Sequence, residues 1–143
     1  LQWCGNLEAV FTGIRRALKP DGQLIFSTFG PQTLQELKCA WTAVDNYSHV
    51  NDFYSEAQLK HFLEQAGFTN SLLDSKLYTT RYDSVRTLMQ ELKHLGAHHV
   101  IADRNKKITT KTAMQQMIMA YETHRVRDQI PATFEVYIVA AKV

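Results

Sequence analysis

Residues 133–142 read Thr-Phe-Glu-Val-Tyr-Ile-Val-Ala-Ala-Lys. With the two-residue period of a strand, Phe134, Val136, Ile138 and Ala140 point one way, and Tyr137, Val139 and Ala141 the other. Both faces are apolar apart from Glu135. Such a strand belongs inside a covered sheet, not at its rim. The rest of the chain must therefore supply neighbouring strands and helices for two faces. Its 143 residues suit one domain and leave little room for two.

The hydrophobic pattern supplies those partners. Asn6 is placed to cap a helix in which Leu7, Val10, Phe11, Ile14 and Leu18 recur at helical spacing. Arg15, Arg16 and Lys19 suit its C-terminal dipole, Pro20 stops it, and Asp21-Gly22 makes a turn. Leu24-Ile25-Phe26 continues to Phe29 as a strand covered on both faces. Thr33 and Glu36 have capping-box spacing and open a helix with the stripe Leu34, Leu37, Trp41 and Val44. A loop follows from Asp45 to Tyr54. Ser55 with Gln58 caps the next helix, Leu59, Phe62, Leu63 and Ala66 line it, and Gly67 closes it.

A strand over Leu72–Tyr82 precedes two more helices. One spans Ser84–Leu95, with Val85, Leu88, Met89, Leu92 and Leu95 inward and Gly96 as its stop. The other spans Thr110–His124, with Met114, Met117, Ile118 and Tyr121 inward. The polar loop 97–109 joins them.

Composition excludes several classes. Hydrophobic residues make up 45% and charged residues 21%, which argues against disorder. No apolar run approaches the roughly 18 residues of a membrane helix, and no secretory signal opens the sequence. Cys4 and Cys39 are too few for a disulfide scaffold and read as reduced thiols of a cytoplasmic protein. His94, His98 and His99 have no cysteine near them, and no metal site is expected.

The net charge is only +2, but residues 76–127 carry 10 Lys/Arg against 4 Asp/Glu, a net of +6. That block can attract an anionic partner. With few aromatics around Lys106-Lys107, nucleic acid is not expected.

The run Ala17-Leu18-Lys19-Pro20-Asp21-Gly22-Gln23-Leu24-Ile25-Phe26 resembles the turn and fifth strand of class I S-adenosylmethionine-dependent methyltransferases. Ala66-Gly67-Phe68 resembles their entry into strand six, and Phe134–Lys142 their antiparallel strand seven. A set of further stretches is similar to the malonyl-acyl-carrier-protein O-methyltransferases of biotin synthesis. These are Gln2-Trp3-Cys4, Phe29-Gly30, Thr33–Leu37, Ala40-Trp41, Val44-Asp45, His49–Phe53, Leu92–Ala97 and Pro131–Glu135.

The resemblance implies an α/β fold: the C-terminal half of a Rossmann-like methyltransferase sheet, strands five, six and seven. Residues 83–127 would be a helical lid inserted between strands six and seven. No Gly-x-Gly-x-Gly loop occurs, so 1–143 reads as the C-terminal part of a methyltransferase domain. Such a piece should neither hold S-adenosylmethionine tightly nor catalyse alone.

In open α/β sheets ligands bind beyond the carboxyl ends of the parallel strands. With the resemblance, this rule puts Gln2 and Trp3 near the cofactor. It puts Thr28, Phe29, His49, Phe53 and Arg86 around the acceptor. A carboxylate acceptor arrives deprotonated, so the protein's task is positioning and exclusion of water, and no catalytic base is assigned. An acidic acyl-carrier protein bearing a malonyl thioester would dock on Lys93, Arg104, Lys106, Lys107, Lys111, Arg125 and Arg127. A small-acid O-methyltransferase and a methyltransferase-like assembly factor remain alternatives. Without a strand-four neighbour, strand five would be an open apolar edge that invites self-association.

Overall fold

A computed structural model describes residue 1 and residues 4–95 and 109–143. In chain order the elements are α1 (Leu7–Ala17), β1 (Gln23–Phe29), α2 (Gln35–Thr42), α3 (Glu56–Gln65), β2 (Thr69–Tyr82), α4 (Val85–His94), α5 (Lys111–Glu122) and β3 (Ile130–Lys142). The five helices and three strands expected from the hydrophobic pattern are all present, in the expected order. The strands form one sheet in the order β1–β3–β2. β3 runs antiparallel to β1, with Gln23 opposite Lys142 and Phe29 opposite Val136. The strand with two apolar faces thus occupies the middle of the sheet.

The chain divides into two compact units. One holds Leu1–Pro31, Phe53–Tyr78 and Glu135–Val143; the other holds Gln32–Asp52 and Thr79–Phe134.

In the first unit, Asn6 Oδ1 accepts the Ala9 backbone N–H at 3.0 Å and caps α1. The Ser55–Gln58 capping box forms in full at the start of α3. Gly67 closes that helix at φ +85°, a left-handed conformation that glycine adopts without steric cost. Leu7 and Phe11 of α1, Leu59 and Leu63 of α3, and Tyr137, Val139 and Ala141 of β3 form one buried cluster. Phe11 is fully buried, its ring 5.4 Å from that of Phe26.

The register explains which side of the sheet this cluster covers. Leu24 faces Ala141, Phe26 faces Val139 and Thr28 faces Tyr137, all on the packed side. Ile25 faces Ala140 and Ser27 faces Ile138 on the other side, where Ile25 is 67% and Ile138 49% exposed. The expectation of cover on both faces of these two strands is therefore corrected. Among the described residues one side is packed and the other is open.

In the second unit α5 packs against α2 and α4. Leu37, Trp41, Val85, Leu88, Met117, Tyr121 and Ile130 are buried. The expected Thr33–Glu36 capping box does not form: α2 begins after Leu34, which takes φ 55° and makes no side-chain cap. Glu36 is instead buried, and its carboxylate accepts the Thr133 backbone N–H at 3.0 Å and the Thr133 hydroxyl. A carboxylate that can take two donors, one charge-assisted bond each, is drawn away from its own helix end.

Tyr121 is fully buried and donates its hydroxyl to the Pro131 carbonyl at 2.8 Å. Burial, with Glu36 and Tyr82 nearby, pushes its phenol well above the ordinary value. Leu95, expected inward, is 67% exposed just beyond α4. Residues 126–129 make a tight turn with Arg127 and Asp128 both at positive φ and mutual bonds between Val126 and Gln129. Two strands start earlier than their apolar content suggested. Polar Thr69-Asn70-Ser71 opens β2, and Pro131, which cannot donate to a ladder, stands second in β3.

Candidate functional site

The carboxyl end of β1 delivers Thr28, Phe29 and Gly30. The Phe29 ring meets Phe53, from the loop before α3, edge-on with centroids 5.6 Å apart. Behind this aromatic pair the backbones of β1 and β3 approach closely: Gly30 N–H donates to the Glu135 carbonyl at 2.9 Å. Gly30 is buried. A Cβ there would lie 2.6 Å from Cζ of Tyr137 and against the Glu135 carboxylate. Only glycine leaves that space for two side chains.

Glu135 is itself buried, and its Oε1 accepts from the Tyr137 hydroxyl at 3.2 Å and from the Ser75 hydroxyl at 3.5 Å. Burial, then the adjacent Glu135 charge and hydrogen bond, raise the Tyr137 phenol to about 12. It stays a neutral donor throughout the physiological range. The result is a neutral, hydrogen-bonded brace beside Gly30, on the opposite side of the sheet from the Phe29 ring and not suited to move a proton.

The second unit carries the loop that follows α2. His49 Nε2 lies 2.9 and 3.1 Å from the two oxygens of Asp45. Its ring stacks on Trp41 with centroids 3.6 Å apart and planes 8° from parallel. Asp45 also accepts the Tyr47 backbone N–H at 3.0 Å. Burial alone would raise its carboxyl, but that bond and the His49 ring outweigh it and hold the group below its ordinary value.

The expected cations divide by what they touch. Arg86 and Lys93 on α4, Lys111 at the start of α5, and Arg127 in the tight turn are exposed. Arg125 is committed within its own unit. It chelates Glu122, with Nη2 2.8 Å from Oε1, and reaches the carbonyls of Asp83 and Asp128. The hydrogen bonds between the pair raise the Arg125 guanidinium and lower the Glu122 carboxyl. Gln2, Trp3, Arg104, Lys106 and Lys107 lie outside the described residues, as do Gly96, His98 and His99.

Of the residues expected around the acceptor, Thr28, Phe29 and Phe53 belong to the first unit and His49 and Arg86 to the second. Phe29 and Phe53 are brought into contact. Sequence reasoning missed the brace of Gly30, Glu135 and Tyr137, though Glu135 announced itself as the lone charge in an apolar strand. It also missed Asp45 as the partner of His49, for which the four-residue spacing was the signal.

An open groove lined by Arg15, Arg16, Leu18, Pro20, Asp21 and Val143 lies at the amino end of β1. That is the end of the strand away from Phe29, and open α/β sheets do not bind their ligands there. No helix among the described residues is long and apolar enough to cross a membrane.

Comparison with known proteins adds to this geometry. A family model described as a methyltransferase domain matches residues 1–73. The chain is similar to the malonyl-[acyl-carrier protein] O-methyltransferase of Nitrosospira multiformis, at 43% identity over 95% of this chain and 44% of that protein. The enzyme of the same name from Gallionella capsiferriformans is 40% identical over 95% of this chain and 47% of its own length. The chain therefore spans somewhat less than half of each. Among solved structures, a putative methyltransferase from Bacillus halodurans shares the fold at a TM-score of 0.57 and 14% identity, over 99% of this chain and 59% of that one.

Proposed function

The chain belongs to the methyltransferase-domain family, and from that premise we propose that the whole protein moves a methyl group from S-adenosylmethionine to the free carboxylate of malonyl-acyl-carrier protein, in biotin synthesis. The observation that carries this reading is the similarity of 95% of the chain, at 40–43% identity, to two enzymes of that name. No glycine-rich loop occurs in the sequence. The residues present do not by themselves make a cradle for the cofactor, which is assigned to the remaining part of the domain together with Gln2 and Trp3. In the family's terms β1, β2 and β3 are strands five, six and seven, and residues 83–127, with α4 and α5, are the inserted lid.

This chain's residues then serve the acceptor. A carboxylate needs no base, because it is ionised at neutral pH; it needs its oxygens freed of water and aimed. The Phe29–Phe53 pair supplies an aromatic wall for the acceptor, and Thr28, His49 and Arg86 are assigned to the acceptor as well. Lys93, Lys111 and Arg127 supply exposed positive charge for an acidic carrier, while Arg125 holds the turn that presents Arg127.

The test joins this chain to the remaining part of the Nitrosospira multiformis relative and measures methyl ester formation. Methyl transfer to malonyl-carrier protein, and little to free malonate, is the expected result. A folded chimera that transfers no methyl group to the carrier-bound acid rejects the proposal.

The free edge of β1 suggests a second property. Among the described residues β1 ends the sheet, and Ile25 is exposed on it. We propose that copies of the 143-residue chain associate through this edge. Light scattering across a hundredfold concentration range should show a rising mean mass that Ile25→Lys suppresses; a constant monomer mass would reject the association.

A further inference from the structure

The loop after α2 holds an imidazole more firmly than packing alone requires. Asp45 engages Nε2 with both oxygens, and Trp41, 4% exposed, backs the ring over its full face. The loop is itself braced, with Tyr47 N–H bonded to Asp45 and the Ser48 hydroxyl bonded to the Val50 carbonyl at 2.8 Å. A carboxylate only accepts hydrogen bonds, so Nε2 carries the proton, and in the neutral ring Nδ1 is a bare lone pair. Among the described residues nothing donates to Nδ1.

Two residues further on, Asn51 Oδ1 is buried and also has no donor among the described residues. A buried acceptor left alone costs about 1–3 kcal/mol. Asn51 Oδ1 is closed off from solvent, so His49 Nδ1 is the acceptor that the braced loop leaves for an incoming donor.

We propose that His49 Nδ1 receives an amide N–H of the arm that carries the acyl thioester, with Asp45 and Trp41 as positioning residues. The inference rests on the reading of a carrier-bound acid as acceptor and adds how the arm is recognised. An acid acceptor has no proton to give up, so the His49 lone pair holds a donor and removes nothing. A thioester arm built of amides offers N–H donors; free malonate, fully ionised, offers none.

The experiment uses the 143-residue chain with ¹⁵N-labelled histidine rings. Malonyl-pantetheine is expected to shift the His49 Nδ1 resonance saturably. Malonate should act at least tenfold more weakly, and unacylated pantetheine should retain most of the effect. Asp45→Asn, which no longer fixes the tautomer, should weaken binding about tenfold; the wild-type titration decides even if that variant folds poorly. A silent His49 resonance, or an equal response to malonate, overturns the inference.

The two readings fail separately. Methyl transfer by the chimera with a silent His49 would sink only the arm site. Pantetheine binding at His49 without methyl transfer would sink only the proposed reaction.

Discussion

Gly30→Val is expected to lower the unfolding free energy by about 2–6 kcal/mol, read as the shift of a urea midpoint at constant slope. The figure sums an overpacking cost of roughly 1–3 kcal/mol and about 1–3 kcal/mol for parting the buried Glu135 carboxylate from the Tyr137 hydroxyl. The backbone at this position is not left-handed, so the conflict is one of space alone. Neither obstruction is the free tip of a flexible surface chain: Tyr137 and Glu135 are both buried. Gly13→Ala is the matched control. Nothing lies within 4 Å of a Cβ at that helical position, and alanine should stabilise α1 by about 0.5–1 kcal/mol. Equal effects of the two substitutions would contradict the close approach at Gly30.

Phe11→Ala should cost about 3–5 kcal/mol, the range for removing a large buried aromatic. Its side chain is fully buried where α1, α3 and β3 meet, and the cavity would open beside the Phe26 ring. Against a total stability of about 5–15 kcal/mol for a domain, such a loss removes a large share. Ile25→Ser, on the open side of the same sheet, should change stability by less than about 0.5 kcal/mol. Thermal unfolding of both variants checks the pair, and a costly Ile25→Ser would mean that this side is packed after all.

Much of the architecture was legible because local signals and global packing agree. Asn6, Ser55 and Gly67 delimit α1 and α3 where their chemistry says they should. The signal at Thr33–Glu36 was equally good and misled, because Glu36 finds two donors on Thr133, far along the sequence. Local pattern carries no knowledge of such a competitor. The apolar faces of β1 and β3 posed another ambiguity. Alternation tells which residues share a side, not which side is covered, and only the pairing register separates Phe26 from Ile25. Phe29 and Phe53 could be anticipated from their place in the resemblance. The Glu135–Tyr137 brace and the internal commitment of Arg125 depend on where side chains meet, which one-dimensional spacing does not encode.

The pairing of β1 with β3 has a consequence for biosynthesis. Gln23 finds its partner in Lys142, almost the whole chain later. A ribosome must therefore extrude α1, α2, α3 and everything up to the turn at Arg127 before the sheet can close. Throughout that interval the side of β1 that receives β3 waits without its partner, and closure by such distant contacts is slow. Nascent chains of this protein should lean on a trigger-type chaperone at the exit tunnel and gain protease resistance only in a late, abrupt step once the last strand has cleared it.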